Sequence, residues 1–143
     1  MPIYHSDAQL YSCLRALFGL IEAQEPAATS ALLKASLAIT FTCSAPAAYL
    51  TIDARKAPVN LSYGPTAVKP TIEVGLTADT LHCLLLGEMR LAKAIGSDLI
   101  DLKGPVWKTL SLADVFHHAQ RFYPLVLQER GLPTTCPDLG RAA

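Results

Sequence analysis

Charge of either sign is in short supply and perfectly balanced. Twelve Lys and Arg residues face 12 Asp and Glu residues, spread along the chain, and charged residues make up only 17% of it. A nucleic-acid binder needs a basic footprint to displace counterions from phosphates, so nucleic acid is not an expected partner. The same balance argues against a polybasic membrane anchor. Long hydrophobic runs are missing too, and none approaches the roughly 18 residues of a transmembrane helix. The opening "MPIYHSDAQL" has no basic stretch leading into an apolar core, so it does not read as a secretory signal. Cys13, Cys43, Cys83 and Cys136 are scattered without a C-x-x-C pair. They read as reduced, small buried hydrophobes of a soluble cytoplasmic protein.

Several chemical motifs are absent as well. The sequence has no Gly-x-Gly-x-x-Gly or Gly-x-x-x-x-Gly-Lys phosphate cradle and no Gly-x-Ser-x-Gly nucleophile elbow. No His-x-x-x-His or comparable ligand spacing supports a metal site. His82 and Cys83 are adjacent, but neighbours on a helix point about 100° apart and rarely chelate together. They read as a partly exposed histidine beside a buried cysteine, with Asp79 one turn away as a surface hydrogen-bond partner. Asp114 and His118 share a helix face and could form an orienting dyad, yet no nucleophile lies near them in sequence. A capping carboxylate with solvent-facing histidines is the plainer reading. The chain is therefore expected to be no enzyme and to need no cofactor.

What is abundant is apolar surface, 51% of the residues. A chain of 143 residues reads as one domain, able to bury about 68–70% of its unfolded surface. Ser6 and Gln9 form a capping box before an apolar stripe at Leu10, Leu14, Leu17 and Ile21, predicting a helix over Asp7 to Gln24. A short helix through Leu32 and Leu33 follows Pro26. Leu37, Ile39, Phe41 and Cys43 then alternate with polar or small residues, as a half-buried strand does. "YLTIDAR" and "VNLSYG" make two more strands, bounded by prolines.

The stretch "TIEVGLTADTLHCLLLGE", Thr71 to Glu88, changes period midway. Ile72, Val74 and Leu76 alternate; from Leu81 the spacing is helical, with Thr77, Asp79 and Thr80 at the junction as candidate caps and Gly87 as a stop. "LAKAIG" adds a short helix and "LIDLKG" a fifth strand ending at Gly104. The remainder reads as helices, one from Pro105 and one restarting at Ser111, with Pro124 interrupting and Gly131 closing. Residues 131–143 are expected to be a loosely ordered tail. The sum is an α+β fold of two layers, a five-stranded, mainly antiparallel sheet covered on one face by helices. Aromatic and aliphatic residues crowd the final helices, and periodicity alone does not decide between a filled core and a hollow one.

The order of elements, and the segment from Thr71 to Gly104 in particular, resembles the sterol carrier protein 2 sterol-transfer domains, especially small stand-alone bacterial members. The matching features are the strand, the leucine-rich helix ending at Gly87, the Ala92 to Ala94 turn, and the last strand with Ile100, Leu102 and Gly104. Where many members have a Ser-Gly-Lys turn, this chain has Ser97, Asp98 and Leu99, and Asp tolerates a left-handed backbone. The resemblance implies a non-catalytic carrier with an internal hydrophobic tunnel for a fatty acid, acyl-CoA, sterol or quinone-like lipid. Delivery would involve transient contact with a membrane or a partner enzyme. On that view the contacts fall to Leu14, Leu17, Phe18, Leu84, Leu85, Trp107, Leu110, Phe116 and Phe122. The alternative is an accessory module for another enzyme or partner protein, with a core filled by its own side chains. Oligomeric state is not readable from the sequence.

Overall fold

Ser6 accepts a hydrogen bond from the Gln9 N–H at 3.1 Å, and the Gln9 side chain reaches back to the His5 N–H at 2.7 Å. This reciprocal cap opens helix α1, Asp7–Gln24, which buries Leu10, Cys13, Leu14, Leu17, Phe18 and Ile21. The computed structural model describes residues 3–105, 108 and 111–137. After a 3-10 turn at Pro26–Thr29 and helix α2, Ser30–Ala35, come strands β1, Ala38–Ser44, β2, Ala48–Asp53, and β3, Asn60–Tyr63. Strand β4, Ile72–Thr77, runs straight into helix α3, Ala78–Leu86. Thr77 caps α3 by accepting from the Thr80 N–H, and Gly87 ends it in the left-handed conformation at φ +81°. Helix α4, Leu91–Gly96, strand β5, Asp101–Lys103, and helix α5, Ser111–Glu129, complete the order. Asp98 takes φ +58° in the turn before β5, a conformation its short polar side chain tolerates.

The five strands lie in the order β3-β2-β1-β4-β5. Three pairs are antiparallel, but β1 and β4 at the centre run parallel, so the sheet is mixed. The register places Leu102, Val74, Phe41, Leu50 and Tyr63 in one row across all five strands. Ile72, Ile39, Ile52 and Leu61 form the next row. On the opposite face Thr42, Ser44, Glu73 and Thr77 are exposed. The inner rows join the buried faces of α1, α3 and α5 in one core, the expected two-layer arrangement.

Two expectations need correction here. Pro124 does not interrupt the last helix; α5 passes through it. Val126, Leu127 and Tyr123 are buried around it, and that burial outweighs the lost hydrogen bond of a helical proline. The cysteines are not all reduced, because Cys83 and Cys136 form a disulfide while Cys13 and Cys43 stay free and buried. Leu132 packs against the core and Cys136 is tied to α3.

Candidate functional site

A small apolar cavity lies between the sheet and the helices. Leu14 and Phe18 face it from α1, Phe41 from β1, Leu50 and Ile52 from β2, Leu81 and Leu85 from α3, and Leu112, Val115 and Phe116 from α5. Each position follows from local period. Leu14 and Phe18 are one helical turn apart, as are Leu81 and Leu85, and Leu50 and Ile52 point to the same side of β2. Phe41 meets the edge of Phe116, with ring centres 6.2 Å apart. The walls are hydrocarbon throughout, so nothing in them can hold a metal or polarise a substrate. The space open to a water-sized sphere is about 10 Å³, room for about one water molecule, which such walls would leave dry.

Of the nine residues expected to make contacts, Leu14, Phe18, Leu85 and Phe116 border this cavity. Leu17, Leu84 and Phe122 are buried in the surrounding core without bordering it. Trp107 and Leu110 lie outside the described residues. The cavity is also bordered by Leu81, Leu112 and Val115 on the helices and by Phe41, Leu50 and Ile52 on the strands, none of them among those nine. The signal was present in the alternation of β1 and β2, whose apolar rows must face whatever covers the sheet.

A second, polar cluster is buried where α3 and α5 meet. Tyr4 and Tyr123 share a hydrogen bond between hydroxyls at 2.5 Å, and Tyr123 Oη lies 2.7 Å from His82 Nδ1. His82 Nε2 is 3.0 Å from the Thr135 carbonyl. That carbonyl only accepts, so Nε2 carries the proton and Nδ1 accepts from Tyr123, which in turn accepts from Tyr4. His82 is fully buried, not partly exposed as expected. Burial pushes its pKa below the usual 6.5, opposed by the Thr135 carbonyl and the Asp79 and Glu88 carboxylates. Burial likewise raises the Tyr4 and Tyr123 hydroxyls far above the ordinary tyrosine range, and pushes the Cys43 thiol up to about 12. Asp79 does not serve His82 as a surface partner; its carboxylate accepts from the Ile3 N–H at 2.9 Å.

The Asp114–His118 dyad is not assembled through Nδ1. His118 is half-buried, its Nδ1 is enclosed without a hydrogen-bond partner, and Asp114 and His117 are exposed. Among the described residues, no three His, Cys, Asp or Glu side chains gather as a metal site. Among those residues, too, no helix is long and apolar enough to cross a membrane.

No protein-family model matches the sequence, and no curated protein sequence matches it. Solved structures do. The sterol carrier protein domain 2 of Helicoverpa armigera superposes with a TM-score of 0.59 at 20% identity, covering 75% of this chain and 87% of that one. Sterol carrier protein 2 from Yarrowia lipolytica, in its apo form, gives 0.60 at 16% identity, covering 80% and 91%. The UbiJ ubiquinone synthesis protein gives 0.55 at 14% identity, covering 75% and 84%. This chain, a mixed five-stranded sheet with one face under helices, therefore adopts the sterol carrier protein 2 fold.

Proposed function

We propose that this protein is a non-catalytic carrier for apolar molecules, taken up between the sheet and helices α1, α3 and α5. The observation that carries the reading is the cavity whose every wall is hydrocarbon, set inside a fold shared with sterol carrier proteins. Transfer of an acyl chain from water into such a space is favourable by about 0.8 kcal/mol per CH₂. A dozen methylenes supply roughly 10 kcal/mol before ordering costs, with no charged residue required. Selectivity is then set by shape, and fatty acyl chains, sterols and quinone-like lipids are the candidate cargo. Ligand pockets usually enclose about 300 Å³ or more, so uptake requires the lining side chains and at least one helix to give way.

A second reading has its own support in the small size of the cavity. A core nearly filled by its own side chains suits an accessory module that holds a partner protein or a lipid-like intermediate for another enzyme. The likeness to a ubiquinone synthesis protein supports the same reading.

Fluorescence displacement on delipidated protein separates the two readings. An environment-sensitive fatty-acid probe is titrated in, then displaced by acyl-CoAs, sterols and quinone-like lipids. Saturable binding with stoichiometric displacement is the expected result, and the order of competitors names the cargo. Folded protein that binds none of them points to the accessory role. In a carrier His118→Ala should leave binding unchanged, whereas a hydrolase or isomerase built on Asp114 and His118 would lose its turnover.

A further inference from the structure

Helix α3 is the wall of the cavity most open to control. Leu81 and Leu85 border the cavity, and of its nine residues all but Asp79 and Leu86 are buried. The segment after α5 is fastened to the C-terminal half of α3 and the turn that follows it. The Thr135 carbonyl meets His82 Nε2 at 3.0 Å, the Cys136 N–H donates to the Glu88 carboxylate at 2.8 Å, and Cys136 is disulfide-bonded to Cys83. Pro133, Thr134 and Thr135 are themselves exposed. Beyond Leu132, which packs against the core, the strap is held by polar and covalent ties, and the covalent tie is the one that a chemical signal can cut.

We propose that the Cys83–Cys136 disulfide is a reversible redox latch on the ligand space, opened by a dithiol reductant. The inference rests on the carrier reading above. Cys136 is half-buried and Cys83 fully buried, so attack comes at Cys136. A reductant thiolate bonds to Cys136 Sγ, the protein S–S bond breaks, and Cys83 leaves as a thiolate that takes up a proton. The reductant's second thiol then displaces Cys136, leaving two protein thiols and an oxidised reductant. Freed of the strap, α3 can shift outward and the space between Leu81, Leu85 and Phe116 can widen. The closed form holds only a small population competent to bind, and apparent affinity falls by that fraction.

The test follows uptake of a fluorescent fatty acid by stopped flow. It uses the oxidised full chain, the same protein reduced with dithiothreitol, and Cys136→Ser. Two new thiols per chain confirm the reduction. Reduced protein and the variant should take up the probe about tenfold faster than oxidised protein, and the variant should ignore the reductant. Should Cys136→Ser fail to fold, reduced and oxidised wild type decide the question alone. Equal rates and affinities in both redox forms overturn the latch and leave the carrier intact. Absence of saturable uptake in every folded form overturns both.

Discussion

His82 is a histidine held neutral by what surrounds it. Its Nδ1 accepts from Tyr123 while Nε2 donates to Thr135, and Asp79 and Glu88 are the charged groups near enough to act on it. Because its folded pKa lies below 6.5, the unfolded chain binds the proton first as pH falls. The contribution of His82 is therefore complete above pH 6.5 and is lost progressively between 6.5 and the lower folded value. Within that window the loss approaches about 1.4 kcal/mol per pH unit. Urea midpoints measured at pH 7.5 and 5.5 should show this slope, and His82→Gln should flatten it. Tyr123→Phe leaves His82 Nδ1 without a donor and Tyr4 with only the Cys13 thiol beside it, and should cost about 2–4 kcal/mol. Tyr4→Phe removes only the end of the chain of hydroxyls and should cost about half as much. Reversal of that order in denaturant melts would refute the assigned direction of the hydrogen bonds.

At the scale of elements, two glycines set boundaries for different reasons. A Cβ on Gly87 would approach the flexible Gln120 side chain, whereas one on Gly104, at φ +123°, would lie 2.7 Å from the Thr71 carbonyl oxygen. Gly87→Ala should therefore cost about 1–2 kcal/mol of backbone strain, and Gly104→Ala more, because backbone cannot step aside. Thermal melts of the two variants would show whether that ranking holds. Both glycines, the α1 cap and bounds, and the period change from Ile72 to Leu86 were legible because they are local properties of a few neighbouring residues. The parallel pairing of β1 with β4 was not legible, since alternation tells which face of a strand is buried but not which strand lies beside it. The disulfide was hidden likewise, since no C-x-x-C spacing marks two cysteines separated by 53 positions. At Pro124 a local rule was overridden by burial of Tyr123, Val126 and Leu127. The cavity was half visible. Its liners on α1, α3 and α5 follow from helical stripes and Phe41, Leu50 and Ile52 from strand alternation, but which of these faces meet is fixed only by the placed sheet.

At the scale of the whole molecule, the disulfide closes a loop over most of the second half of the chain. A cross-link spanning 53 positions stabilises by about 4 kcal/mol in the chain-entropy account. Reduction should then lower Tm by on the order of 10 °C. A calorimetric scan with and without dithiothreitol measures the difference, and an unchanged Tm would mean that the strap contributes nothing to the folded state.

The position of β1 at the centre of the sheet has a consequence for synthesis. Strands β1, β2 and β3 form a local meander that can pair as soon as it leaves the ribosome, but the other edge of β1 is filled only by β4. Until Ile72–Thr77 emerges, the nascent chain carries an open strand edge bearing Ile39, Phe41 and Cys43, with α1 still waiting for α5. An unpaired apolar edge is a template for association with other chains. Ribosome-bound intermediates stalled before residue 72 should therefore need a chaperone that those stalled well after residue 77 do not.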